Sequence, residues 1–226
     1  MRKLFFILFT LFVTSTLIAQ KAEPDGKWSA TLTGAFIPVP GGNFGIQPGV
    51  EYRFNERLSL LTEVTIRVGN KNVPDSQALN KKYFKIKPQL RYNFSKMKDG
   101  SKYYIGLQGS YSIRKFSIAR YGFYYDKLPG DSVYFFDVAK VNSPVTTISI
   151  QFGTIISPEK KLSVDIFVGI GGRFINTEYT DIEKLRKGIR SRPADGPAFA
   201  ASYSYFGHVT WLHLNAGLRF IYHFSQ

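Results

Sequence analysis

Cysteine is absent from the 226 residues, which rules out disulfides, thiolate nucleophiles and cysteine-ligated zinc together. Histidine occurs only at His208, His213 and His223. On one strand His213 and His223 would stand about 33 Å apart, and His208 and His213 about 16 Å apart on opposite faces, at about 3.3 Å per residue. No metal site is expected from them, and no cofactor. Acidic side chains are scarce, 16 against 30 Lys and Arg. That excess is spread along the chain with no recognition module, so nucleic acid is not an expected partner. Gly169-Ile170-Gly171-Gly172 lies inside a strand pattern with no helix after it, which excludes a dinucleotide loop. Long apolar runs are also missing beyond the first twenty residues.

What is present begins with MRKLFFILFTLFVTSTLIAQ. Arg2 and Lys3 precede an apolar run from Leu4, and small or polar residues lead to Ala19-Gln20, the pattern of a secretory signal peptide over residues 1–20. The exported domain is then 21–226, with 28 basic against 16 acidic residues, a net charge of +12. Without disulfides, it must be stabilised by packing and hydrogen bonding.

Through this domain apolar residues recur at every second position in eight segments, Lys27–Phe36, Phe44–Phe54, Leu58–Val68, Tyr83–Phe94, Lys102–Ile113, Thr146–Ile156, Lys161–Phe174 and His208–Phe224. Charged, amide and small residues fill the alternate phase. Each segment is about ten residues long, the length a tilted strand needs to cross a hydrocarbon layer. Tight connectors (Asn55–Arg57, Ser95–Ser101, Ser157–Lys160) alternate with longer ones (Ile37–Asn43, Gly69–Lys82, Arg114–Val145, Ile175–Gly207). Tyr52, Phe54, Tyr92, Phe94, Tyr103, Tyr104, Tyr222 and Phe224 gather at segment ends on the short-turn side, as an interfacial girdle would. The expectation is an all-β fold, an eight-stranded antiparallel up-and-down transmembrane β-barrel with short periplasmic turns and long extracellular loops. A soluble barrel would bury the apolar phase instead.

The inward phase predicts a lumen charge cluster of Glu51, Glu63, Arg67, Lys87, Arg91, Asp165 and Arg219, in which Glu51 and Asp165 meet Arg91 and Arg219 while Glu63 takes Lys87 or Arg67. Such pairs would plug a lumen only as wide as its own side chains. Two loops carry interaction candidates. Arg120–Val138 holds Tyr121, Phe123, Tyr124, Tyr125, Tyr134 and Phe135 around a Pro-Gly turn, where a strand pair continuing above the membrane would present aromatics to a protein or glycan. In the last loop, Thr180 and Glu183 fit a capping box, so a short helix is expected near Thr180–Lys187, and Lys184, Arg186, Lys187, Arg190 and Arg192 suit lipopolysaccharide phosphates.

Signal, eight alternating segments and the aromatic-rich final strand resemble the small outer-membrane β-barrel proteins of Bacteroidota across essentially the whole mature chain. The resemblance implies a multi-pass barrel in the bacterial outer membrane, in contact with its lipid and lipopolysaccharide. It also implies delivery by the barrel-assembly machinery, which reads the last strand; Phe224 fits that signal, although Ser225-Gln226 follow it. The expected role is non-enzymatic, structural or surface-interacting through the loops. Alternatives are a narrow passive channel for small anions, an accessory barrel of an envelope or secretion complex, and a lipid A-modifying hydrolase. For the last, His213-Leu-Asn-Ala-Gly-Leu218 is similar to the motif of outer-membrane lipid A deacylases, where His and Ser stand two residues apart; Asn215 occupies the serine position, so the nucleophile is missing.

Overall fold

The computed structural model describes residues 27–37, 43–68, 78–94, 100–125, 133–158, 160–188 and 205–224. The signal segment 1–20 lies outside them, as do Arg190 and Arg192 and the Asp126–Asp131 turn. The described residues form one antiparallel sheet of ten strands: β1 (Lys27–Ile37), β2 (Asn43–Arg53), β3 (Leu58–Val68), β4 (Ala78–Asn93), β5 (Lys102–Tyr125), β6 (Val133–Asn142), β7 (Val145–Ile156), β8 (Leu162–Glu183), β9 (Arg186–Gly188) and β10 (Gly207–His223). The eight expected segments are β1–β5, β7, β8 and β10, and the two further strands, β6 and β9, fall in the two longest expected connectors. β6 and β7 both lie between β5 and β8 and are separated only by Ser143-Pro144, where proline has no N–H for the ladder.

The remaining pairings are cyclic. β1 to β5 follow one another, β7 joins β5 to β8, and β10 pairs with both β8 and β1. The seam is uneven: β10 runs along β8 from Gly207–Thr177 to Tyr222–Leu162, but meets β1 only over Ser29–Thr33. Turns at one end are compact. Asn55 Oδ1 accepts from the amides of Arg57 and Leu58 at 2.9 and 2.8 Å, while Ser157, at φ 55°, turns the chain from β7 toward β8.

Burial is inverted. Arg91, Asp165, Arg219 and Glu63 are 0% exposed inside the ring, whereas Leu107, Ile150, Ile170 and Leu214 stand about half exposed outside it. Register aligns the outer set into a belt, Leu60 to Leu90 to Leu107 to Ile150 to Ile170 to Leu214. Below it lies an aromatic rim, with Trp28–Tyr52, Tyr52–Phe54, Tyr92–Phe94 and Tyr222–Phe224 in ring contact at 4.7, 5.0, 5.7 and 5.6 Å. Tyr104, expected in that rim, is instead buried in the lumen, because it follows the outward Tyr103 and neighbouring strand residues face opposite ways. Above the belt, charge returns to the outer face at the cross-strand pair Lys82 and Lys115 and at Glu178. Between the two borders β5 runs from Tyr103 to Ile113, about 33 Å of strand and roughly 25 Å of height at a tilt near 40°.

Inside, glycines make room for large neighbours. A Cβ on Gly153 would collide with the Tyr104 ring, whereas one on Gly34 would meet nothing within 4 Å. Gly153→Val is therefore expected to cost about 1–3 kcal/mol by overpacking, and Gly34→Val close to nothing, in urea unfolding of the refolded protein. Equal effects would refute the close fit.

Much of the Arg114–Val145 connector is strand. β5 and β6 continue beyond the ring as a hairpin, with Phe116, Ile118, Tyr124, Phe136, Ala139, Val141 and Tyr179 buried together. The helix expected near Thr180–Lys187 does not form. β8 extends through Glu183 against β6, and β9 pairs Arg186–Gly188 with Val133–Phe135. Asp181 and Lys184 sit at φ 51° and 52°, outside the helical region, so tertiary strand pairing overrides the local capping signal.

Candidate functional site

The lumen has two storeys, and inward phase decides which side chains build each. In the lower one, β3 carries Glu63, β2 Glu51, β4 Arg91 and Lys87, β8 Asp165 and β10 Arg219. Arg91 reaches Asp165 at 2.9 Å and Glu51 at 3.5 Å. Arg219 holds Glu63 through Nε and Nη2 at 2.9 and 3.0 Å and bonds Asp165 through Nη1. Lys87 lies 2.6 Å from Glu63. Three carboxylates thus face three cations, and the charge sums to zero. Remaining lone pairs are taken by neutral donors: Ser59 to Glu51 and Thr33 to Glu63, both at 2.6 Å, and Tyr104 to both oxygens of Asp165 at 3.0 and 3.2 Å. Aromatic faces back the guanidiniums, Tyr104 at 4.5 Å from Arg91 and Phe167 at 4.6 Å from Arg219. Gln89 donates to Gln151 and Gln151 to Gln108, a chain of hydrogen bonds between side-chain amides.

Of the residues predicted for the lumen, six meet in this floor; Arg67 stands in β3, and its side chain is outside the described residues. Phe167 and the three glutamines are not among the residues predicted for the cluster, and Tyr104 is expected in the rim, although all share the inward parity. An aromatic there gives no apolar-versus-polar signal.

Above the floor is a cavity of about 380 Å³. Lys85, Lys87, Arg114, Arg173 and His213 line it, together with the hydroxyls of Ser110, Ser112 and Thr147. Arg114, expected to open a loop, is buried in β5 and donates to the Ser143 carbonyl and hydroxyl at 3.0 and 2.7 Å. The other histidines lie elsewhere: His223 is held between Ser29 and Ser163 at 2.8 and 3.0 Å, and His208 faces outward. Among the described residues no group of three potential metal ligands occurs.

The loop candidates separate. Tyr124 is buried, stacked on Tyr179 and Tyr134 at 4.6 and 5.2 Å, so it packs the hairpin rather than presenting a free ring. Tyr134 and Phe135 are half-buried, and the side chains of Tyr121, Phe123 and Tyr125 are outside the described residues. Lys184 and Arg186 pair with Asp137 at 3.0 and 2.6 Å, which leaves less of the expected basic cluster uncommitted.

Hydrogen bonding from Lys184, with the positive charges of Lys184 and Arg186, holds the Asp137 carboxyl below the usual carboxylate range. A lowered folded-state pKa contributes stability that is present above the unfolded value and disappears as pH falls through the folded one. Acidification below the carboxylate range is therefore expected to lower the protection factors of the Arg186–Gly188 amides, taken against their intrinsic rates at each pH, and Asp137→Asn is expected to lower them at neutral pH. Unchanged exchange in that variant would remove the pair from any role in holding β9.

No protein-family model matches the chain, and no curated protein does. Two solved structures are similar in part. Neisserial surface protein A is 15% identical over 86% of this chain and 93% of its own, with a TM-score of 0.33. A major outer membrane protein from Thermus thermophilus is 14% identical over 88% and 100%, with a TM-score of 0.35. Both superpositions fall below the level that establishes a common fold.

Proposed function

We propose that this chain is a non-enzymatic outer-membrane β-barrel whose lumen is plugged and whose role is structural or surface-interacting, exercised through the β5–β6 hairpin and its neighbouring loops. One observation carries the reading: large apolar side chains encircle the outside of the ring while fully buried Arg, Glu, Asp and Gln fill it. In water such a belt would be an unusually large exposed apolar surface. In hydrocarbon it is the favourable side, and the cyclic pairing leaves few edge groups unsatisfied there. The band of roughly 25 Å matches the apolar height of about 25 Å typical of such barrels. Partners under this reading are membrane lipid and lipopolysaccharide, the assembly machinery, and a protein or glycan at the hairpin.

A narrow anion channel is the second reading, favoured by the cationic chamber and opposed by the ion-paired floor beneath it. Cell fractionation and planar-bilayer recording test both together. The full-length chain is expected to remain with outer membranes through salt and alkaline washes, to need detergent for release, and to carry no steady current. Recovery from the periplasm without detergent would defeat the membrane assignment, and a steady anion-selective current would defeat the plug.

A further inference from the structure

We propose that the upper storey of the lumen is a binding site for a small oxyanion, a phosphate group either free or carried on a compact polar body. The inference goes beyond the structural role above and depends on the closed ring, not on the membrane around it.

Charge accounting leads to it. The six floor groups neutralise one another, and Lys87 is already committed to Glu63 at 2.6 Å and to the Gln47 amide oxygen at 3.1 Å. Three further cations line the chamber wall, and one of them, Arg114, is held by Ser143. Lys85, on β4, makes no hydrogen bond or ion pair among the described residues. Arg173, on β8, has one described partner, the Nδ1 of His213 at 3.2 Å. A guanidinium only donates, so that ring nitrogen accepts and the imidazole supplies no charge of either sign. Lys85 is repelled by Lys87 and Arg173 and attracted by the floor carboxylate Glu63, with which it makes no ion pair, and among the described residues no carboxylate lines the cavity. Half-buried cations left without a counter-ion cost free energy, and a neutral wall would have avoided it.

A tetrahedral oxyanion answers each part of this arrangement. Its oxygens accept from the fork of Arg173 and the ammonium of Lys85, contacts stronger than those between neutral groups. Ser112 lies directly opposite Lys85 and Thr147 opposite Arg173 in the ladder, so each cation has a hydroxyl at its own level. A volume of about 380 Å³ exceeds what one phosphate needs and leaves space for water or a small hydroxylated body. The floor beneath prevents passage, so the ring binds the anion without conducting it.

Calorimetry on the folded, detergent-solubilised protein tests this with inorganic phosphate, glycerol 3-phosphate and chloride at matched ionic strength. Saturable phosphate binding is expected, absent with chloride and roughly ten- to a hundredfold weaker in the Lys85→Gln/Arg173→Gln variant. Tighter binding of glycerol 3-phosphate would assign the ligand as a phosphate on a carrier; equal affinity would assign the free ion. That variant removes charge without removing any floor contact, and circular dichroism verifies that it folds. Phosphate heats no larger than those of chloride, or identical binding by the variant, would overturn the site. Because the assay is run in detergent, its result is independent of where the protein resides.

Discussion

Arg219→Met is expected to lower the unfolding free energy by about 3–5 kcal/mol, the usual cost of leaving a buried charge without its partner. Arg219 serves two carboxylates, Glu63 and Asp165, both 0% exposed. Its removal leaves the floor with three negative and two positive groups, all of them buried. Arg91 cannot make up the deficit, since it is already shared between Asp165 and Glu51. A second substitution, Asp165→Asn, restores equal numbers of each sign by leaving Arg91 to Glu51 and Lys87 to Glu63. The double variant should be more stable than Arg219→Met alone, a non-additivity that contacting residues display and distant ones do not. Reversible urea unfolding in phospholipid vesicles, followed through Trp28 and Trp211, measures both. A loss under about 1 kcal/mol would mean the floor is hydrated and the lumen is not plugged by these ions.

The second large effect separates a membrane protein from a soluble one by a single outward residue. Leu214 is about half exposed and lies in the middle of the apolar belt. In a water-soluble protein, replacing such a side chain with Arg changes stability by about 0.5 kcal/mol or less. Facing hydrocarbon near the midplane, Leu214→Arg should cost about 2–4 kcal/mol, and an arginine at the outward His208, beyond the belt, about 0–1. The depth dependence matters as much as the size. Equal small costs at both positions would place the belt in water and end the outer-membrane reading.

How much of this was legible beforehand depends on the range of the interaction concerned. Period-two alternation located all the ring strands, because side-chain direction in a strand is a local geometric fact, but it missed the extensions of β4, β5 and β8, β5 by twelve residues and β8 by nine. The same alternation put Glu51, Glu63, Lys87, Arg91, Asp165 and Arg219 on one phase. Local signals failed where pairing partners were distant. The Thr180–Glu183 capping pattern lost to the ladder with β6, whose partners lie about forty residues away, and the connector from Arg114 became strand because Val133–Asn142 was there to pair with it. Tyr104 was misplaced because a tyrosine suits either a membrane interface or a hydrogen bond to Asp165, and residue type alone does not say which; the parity set by the outward Tyr103 does.

By itself the sequence determined the inversion: alternating apolar and polar phases over some ten residues, with no cysteine and no apolar run of spanning length after residue 20, leave a ring that is oily outside and ionic inside. Tertiary structure alone decided which cation meets which carboxylate, and that Lys85 and Arg173 meet none. Strand phase specifies the face a side chain occupies, but its height in the lumen, and so its partner, follows from the stagger of every strand against the next.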